Sequence, residues 1–375
     1  MPLRKPKYYD IAHLLKDYPD AYYYMAFGER SNGKTYSALD YALMRYFEYG
    51  EQFAYIRRFG EDVKKKNLTA LFSAHIQNER IRTLSNGQFS LVDYSVGRFV
   101  AYSYDMETGK TTKDKEAMGF AFDLNAMEHH KSTSYPGVTT VIFDEFLSRQ
   151  GYIANEFILF MNTLSTIIRD RKNVKILMLG NTVNKYCPYF KEMGLTHIKD
   201  QKPGTVDVYS YATSGLSVVV EYCGPMSKRG GKGSDVYFAF DNPQLKMITG
   251  GAWEISIYPH LDIKYRPKDV VANFFVSFDG SLLHGEVVVT EADYFMFIHP
   301  KTSPVKDEEN DIVYCDRPST FWNYKVGIAN QKDRLSILIN KLIYQNRVFY
   351  SDNETGEILR NYIIWAQQYI AARGG

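Results

Sequence analysis

The sequence predicts an α/β domain on a mainly parallel sheet (residues 1–222), a linker at 223–250, and a smaller α+β domain at 251–375. Three observations carry that expectation. The first half alternates short apolar runs with amphipathic segments, the pattern of strands covered by helices. The texture then changes at Cys223–Ser234 (CGPMSKRGGKGS), where glycine, proline, serine and bare positive charge give the composition of a linker. Finally, 375 residues exceed one ordinary domain at roughly 100–200 residues each.

Within the first domain, Ala21–Phe27 reads as a strand, Lys34–Tyr49 as a helix and Gln52–Arg57 as the next strand. Asp62–Gln77 carries Leu68, Leu71, Phe72 and Ile76 at helical spacing. Phe89–Tyr94, Arg98–Tyr104 and Gly119–Leu124 read as strands; the last two flank the polar Asp105–Glu116 as an antiparallel hairpin insertion. Thr139–Phe143 and Lys175–Leu179 are fully apolar, as strands of a sheet buried on both faces are. Asn155–Ile168 between them is amphipathic and helical. In the second domain Trp253–Tyr258, Asn273–Phe278, Glu286–Thr290 and Tyr294–Ile298 read as strands, with Phe278–Gly285 as a hairpin-like turn. The helices Lys332–Gln345 and Gly356–Ala372 follow.

Composition removes several classes of function. With 45% hydrophobic and 23% charged residues the chain has enough apolar surface to build cores, which excludes a mostly disordered protein. No apolar stretch approaches the ~20 residues that cross a bilayer, so no membrane partner is expected. The opening MPLRKPKYYD lacks the apolar region of a secretory signal. Cys187, Cys223 and Cys315 form no C-x-x-C pair and read as reduced thiols of an intracellular protein. A net charge of +2 announces no nucleic-acid binder, so any DNA contact has to come from local patches.

The chemistry lies in three segments. Gly28–Thr35 reads G-E-R-S-N-G-K-T, a full match to the phosphate-binding loop G-x-x-x-x-G-K-[ST], between an expected strand and an expected helix. Backbone amides of Gly28, Glu29, Arg30, Ser31, Asn32 and Gly33 would face the phosphates of ATP, and the helix dipole would favour their charge. Lys34 would meet the β/γ-phosphates and Thr35 would offer its hydroxyl to Mg²⁺. Thr139–Phe146 (TTVIFDEF) ends an apolar strand in two adjacent acids: Asp144 to hold Mg²⁺, Glu145 to orient and deprotonate the attacking water. Adjacent acids favour hydrolysis over phosphotransfer, which must keep water out. Lys175–Asn181 (KILMLGN) ends in Asn181, either a sensor of the γ-phosphate and water or a post-strand turn residue. The three strands in this order describe an ASCE-type P-loop NTPase, with the acid-bearing strand expected between the other two.

Cations near these segments carry two readings each. Arg169 and Arg171 end a helix, where a cation is favoured by ~0.3–1 kcal/mol, or act as an arginine finger in a neighbour's site, as Lys131 could. Arg57 and Arg58 end the second strand and could meet nucleotide or DNA phosphate, or pair with nearby acids. Lys64, Lys65 and Lys66, with Lys110, Lys113 and Lys115 of the hairpin, form a candidate DNA-tracking surface or a solvated face. His129 and His130 have no ligand partners at metal spacing.

The segments FGERSNGKT, YGEQFAYIRR, SYPGVTTVIFDEF, IIRDR and LGNTV resemble the genome-packaging ATPases, or encapsidation proteins, of small podophages like phi-twenty-nine. The resemblance covers roughly residues 20–200 well and the remainder in general layout. It implies an ATP-driven motor on double-stranded DNA, a ring of identical subunits (pentameric in the family) on the procapsid's portal, and in some members a packaging RNA. It further implies Arg169 as a finger acting in trans, Lys131 as a second residue reaching the neighbour's nucleotide, and a place in the host cytoplasm rather than the mature virion. A helicase-like single-strand motor and a nucleotide-gated scaffold with little turnover are the rival expectations. The C-terminal domain would resemble an RNase H-like nuclease that has lost its activity. Phe274–Val289 looks like the opening hairpin of such a sheet, with Asp279 near the place of a metal-binding acid. Two-metal cleavage needs several convergent carboxylates. Glu291, Asp293 and the acidic loop Asp307–Asp311 follow, but no acid clearly ends another buried strand, so Asp279 reads as a turn residue and nuclease activity is not expected.

Overall fold

Ten strands of the N-terminal part share one mixed sheet in the computed structural model, which describes residues 8–124, 133–148, 151–153, 155–182, 184–224, 258–291, 293–305 and 310–371. The strands are β1 (Tyr23–Gly28), β2 (Gln52–Arg57), β3 (Leu91–Ser95), β4 (Arg98–Tyr104), β5 (Thr111–Lys113), β6 (Gly119–Asp123), β7 (Val138–Asp144), β8 (Lys175–Asn181), β9 (Thr205–Tyr211) and β10 (Leu216–Tyr222). Their order is β3-β4-β6-β2-β7-β8-β1-β10-β9, with β5 paired to β4. The inner run from β6 to β10 is parallel, and antiparallel pairs close both edges. Every residue of β1 and β7 is buried, as expected of strands covered on both faces.

This order corrects one expectation. The strand between the other two is β8, which pairs with β1 on one side and β7 on the other. Pairing of Gly28 with Asn181 and of Asp144 with Leu179 brings all three strand ends to one edge. Chain order alone carries no information about which strand inserts, because each crossover helix can return its strand one place or two places along the sheet.

The helix Lys34–Tyr49 starts directly after the loop and buries Ala38, Leu39, Ala42, Leu43 and Tyr46 at helical spacing. Gly50, at φ 70°, stops it, its amide donating to the Arg45 and Tyr46 carbonyls. The single helix expected over 62–77 is instead a 3₁₀ turn at Gly60–Val63 and two short helices, Lys65–Ala70 and Ser73–Gln77. The bend at Leu71–Phe72 turns Leu68, Phe72 and His75 into the core together, while Leu71 and Ile76 stay half-buried. The insertion after β4 folds back through β5, and β4 meets β6 over only Arg98–Phe99. The amphipathic helix after β7 spans Glu156–Ile168. Strands β9 and β10 have no counterpart among the sequence-based expectations.

By internal packing the chain divides into two compact units, Met1–Arg149 with Glu156–Glu254, and Gln150–Asn155 with Ile255–Gly375. The chain is an α/β protein of two such parts, each with a mixed sheet. The linker expected at 223–250 lies, apart from Cys223 and Gly224, outside the described residues, as does nearly all of the strand expected at 253–258.

The second unit holds a six-stranded sheet of β11 (Val270–Phe278), β12 (Ser281–Val289), β13 (Tyr294–Pro300), β14 (Val313–Cys315), β15 (Tyr324–Val326) and β16 (Val348–Tyr350). Its order is β15-β14-β11-β12-β13-β16. The hairpin turn is shorter than expected: Asp279 and Gly280, at φ 49° and 79°, form the whole of it, so Gly285 lies inside β12. A second correction concerns acids at strand ends. The buried strand β14 runs directly into Asp316, whose carboxylate lies 3.4 Å from the Asp279 amide. Helices Arg334–Tyr344 and Asn353–Ala371 follow, the first N-capped by Asp333, which accepts from the Ser336 amide.

Gly285 faces Phe274 across the β11–β12 pair, and a Cβ placed there would lie 2.1 Å from the buried Phe274 ring. Gly285→Ala should therefore cost about 1–3 kcal/mol of stability, recovered in part by Phe274→Leu. Denaturant unfolding of the single and double variants checks this; an unchanged midpoint in Gly285→Ala would contradict the packing.

Candidate nucleotide-binding site

The loop between β1 and the helix Lys34–Tyr49 is shaped by two glycines. Gly28 has φ 152°, and a Cβ there would lie 3.0 Å from the Cys223 carbonyl oxygen. Gly33 has φ 99°, and a Cβ there would lie 3.2 Å from Tyr8. Larger residues would strain both positions. Lys34 is buried; its Nζ donates to the Glu29 carbonyl at 2.8 Å and to Asn32 Oδ1 at 3.1 Å, and lies 3.4 Å from Asn181 Oδ1. Burial pushes the Lys34 pKa down. Asn32 Nδ2 is a buried donor with no partner among the described residues, one that a bound anion would satisfy. A cavity of about 480 Å³ opens here, lined by Tyr8, the loop, Tyr36, Ala74, Asn78 and Asn181.

The acids stand against the loop. Thr35 Oγ1 donates to Asp144 at 3.1 and 3.2 Å, and the Tyr55 hydroxyl donates to Asp144 Oδ2 at 2.9 Å. Burial raises the Asp144 pKa, opposed by the Arg57 charge and the Tyr55 and Thr35 hydrogen bonds, while Glu145 adds to the rise. A desolvated carboxylate beside a hydroxyl is a pair of hard oxygen donors, the set that suits Mg²⁺. Glu145 sits at φ 60°, a left-handed conformation costly for a residue with a side chain and common at functional sites. Arg57 holds both acids: its guanidinium lies 2.7 Å from Glu145 Oε2 and 3.6 Å from Asp144 Oδ2. A third acid, Asp62, lies 3.5 Å from the same guanidinium.

Arg58 has a different place from the DNA or phosphate contact considered for it. It is buried and pairs with Glu156 at 2.8 Å, a carboxylate with no exposed side-chain surface. Its guanidinium also donates to the Glu145 and Phe146 carbonyls at 3.0 and 2.7 Å, and the Tyr189 hydroxyl completes Glu156 at 2.8 Å. The desolvated ion pair thus clamps the strained turn that carries Glu145. A charge so enclosed cannot meet a duplex.

The remaining candidates are spread more widely. Asn181 joins the loop through Lys34. Arg169, exposed and at φ 52°, donates to the Thr133 carbonyl at 3.2 Å. Arg171 clamps backbone carbonyls from Tyr135 to Val138, the entrance of β7. That entrance lies six residues from Asp144, or about 20 Å of extended strand, so the structure does not bring these arginines to their own chain's acids. Lys131, like His129 and His130, lies outside the described residues. The six lysines are exposed. Lys65 and Lys113 approach one acid, Asp93, at 3.7 and 3.9 Å, which joins the helix and hairpin lysines in one patch.

Sequence reasoning missed Tyr55, the Arg58–Glu156–Tyr189 cluster and the N-terminal strap. Tyr9 donates its amide to the Asn32 carbonyl at 2.9 Å and its hydroxyl to Glu221 at 2.6 Å, while the Ile11 amide donates to Ser37. The period-two spacing of Tyr55 and Arg57 puts both side chains on one face of β2, a signal that could have paired them with the neighbouring β7 acids.

A glycine loop between strand and helix, an inserted strand and a paired acid on the next strand make an α/β domain whose loop edge is suited to holding phosphate. Residues 3–203 match the family profile described as Podovirus DNA encapsidation protein (Gp16). The chain belongs to that family. It is 34% identical over 171 residues to the DNA packaging protein of Bacillus phage B103, covering 45% of this chain and 46% of that one. The chain spans about half the length of the curated relatives it matches. Among solved structures it has the fold of the Phi-28 gp11 DNA packaging motor, with TM-score 0.53, 20% identity and coverage of 97% of this chain and 99% of that one. The bacteriophage Phi-29 viral genome packaging motor assembly aligns with TM-score 0.54 and 19% identity over 98% of this chain and 99% of that one.

Removing Arg58 takes the ion-pair partner from a buried carboxylate, so Arg58→Ala should destabilise the protein by about 3–5 kcal/mol. Glu156→Gln in the same chain should restore part of that loss. Chemical denaturation of the four proteins of the cycle measures both effects, and additive losses would contradict the coupling.

Proposed function

We propose that this chain is the ATP-hydrolysing subunit of a viral DNA-packaging motor, driving double-stranded DNA into a procapsid. The observation that carries the reading is the contact of Thr35 with Asp144, next to Lys34 and one residue from Glu145. Lys34 and the loop amides bind the phosphates, with the Asn32 amide as a further donor. Thr35 and Asp144 would hold Mg²⁺, which when bound neutralises charge on the β- and γ-phosphates. Glu145 orients the attacking water and accepts its proton, once its carboxylate parts from Arg57. Asn181 reports the state of the phosphate end to Lys34.

Arg169 supplies the remaining cation to an adjacent subunit's site. Its exposure and its place at the far end of the Glu156–Ile168 helix support action in trans. We infer a ring of identical subunits, pentameric by family resemblance, on the procapsid's portal in the host cytoplasm, with the joined lysine patch tracking DNA phosphates. The relatives' names, a DNA packaging protein and two packaging motors, support that setting. In the second unit β14 runs parallel to β11, beside the antiparallel run β11-β12-β13. That order supports an RNase H-like ancestry. Asp279 and Asp316 are acids at one end of this sheet, and the reading offered here is a motor subunit rather than a nuclease.

Steady-state hydrolysis and nucleotide affinity together test the reading. Glu145→Gln should lower kcat for ATP about 10²–10⁴-fold while nucleotide affinity stays unchanged. An unchanged rate would favour a nucleotide-gated scaffold. Arg169→Ala should abolish turnover with ATP binding intact, and mixed rings of Arg169→Ala and Glu145→Gln subunits should regain part of it. No regain in any mixture would refute action in trans.

A further inference from the structure

The second unit carries a side-chain cluster that the motor reading leaves unused. His284 and Glu286 lie two residues apart on β12 and so share one face of the sheet. His299 stands directly opposite His284 on β13, their rings 4.7 Å apart. One ring nitrogen from each histidine and one Glu286 oxygen all lie within 4.8 Å of one another, and all three residues are half-buried.

Each member has a hydrogen-bond partner outside the trio. His284 stacks on Phe275 at 4.8 Å, and its Nε2 lies 2.9 Å from Asn273 Oδ1, an acceptor that places the proton on that nitrogen and the lone pair on Nδ1. His299 Nδ1 donates to the Pro300 carbonyl at 3.2 Å, leaving the Nε2 lone pair 3.9 Å from Glu286 Oε2. The Tyr265 hydroxyl donates to Glu286. Histidine tautomers fixed by a carbonyl or amide oxygen, and a carboxylate anchored by a phenol, are the outer partners that orient the ligands of a metal ion.

We propose that His284, Glu286 and His299 form a binding site for one divalent transition-metal ion of the zinc class. Two imidazoles and a carboxylate select zinc, cobalt, nickel or copper over magnesium or calcium, whose preferred donors are oxygens. Ligand atoms on a tetrahedral ion at ~2.0–2.1 Å lie roughly 3.3 Å apart, so the cluster needs a contraction of about 1.5 Å at most, within reach of side-chain rotation. Three protein ligands leave the fourth position open at the half-exposed face. The ion would cross-link β12 to β13, and it stands apart from the Thr35–Asp144 pair in residue composition and donor chemistry.

The test titrates Zn²⁺ into chelator-stripped full-length protein against a chromophoric competitor, and follows Co²⁺ by its visible absorption. One equivalent should bind per chain, and Co²⁺ should give the intense bands of a four-coordinate site. His299→Ala and His284→Phe, the latter keeping the stack on Phe275, should each weaken Zn²⁺ at least about tenfold, as should Tyr265→Phe through Glu286. Zn²⁺ should raise the thermal midpoint of the parent protein and not that of His299→Ala. Absence of a one-equivalent site, or affinity unchanged in both histidine variants, would overturn the proposal.

Discussion

The contact between Thr35 and Asp144 depends on where β8 lies. Because β8 separates β1 from β7, the loop after β1 and the acid at the end of β7 cannot meet through backbone pairing. They meet through side chains, Thr35 Oγ1 reaching across the edge of the sheet to both Asp144 oxygens. The strands β1 and β7 lie two strand spacings apart, about 10 Å, a span that the side chains of loop and acid close between them. The buried carboxylate, raised in pKa by its desolvation, is unfavourable in isolation, and the hydroxyls of Thr35 and Tyr55 and the Arg57 charge offset that cost.

Around that contact the protein spends two arginines in opposite ways. Arg57 stays partly exposed and is shared among three carboxylates, so its attachment to any one of them is exchangeable. Arg58, the next residue and just past the end of β2, is sealed against Glu156. One arginine therefore pairs with the acids of this edge while the other holds the backbone beneath them. Glu145 needs both, since its left-handed conformation is held at the carbonyl by Arg58 and its carboxylate is held by Arg57.

The loop was legible because its chemistry is local: glycines at fixed spacing, then a lysine and a hydroxyl, between a strand and a helix. The acid pair was legible for the same reason. Most of what the sequence left hidden is non-local. The place of β8 depends on crossover choices that leave no mark in composition. Arg58 looks like Arg57 in the string YIRR, and only their partners in the fold distinguish them. The bend at Leu71–Phe72 defeats a helical spacing that is regular on paper, because burying Phe72 and His75 together outweighs a straight helix. Asp316 went unseen because three residues of buried strand are too short to register as a period.

Diffraction from crystals grown with a non-hydrolysable ATP analogue and Mn²⁺ tests the central claim most directly. The account predicts an anomalous peak between Thr35 Oγ1 and Asp144, with the terminal phosphate within hydrogen-bond reach of Lys34 Nζ and Glu145 facing it. An ion bound away from that pair, or a nucleotide seated outside the Gly28–Thr35 loop, would contradict it.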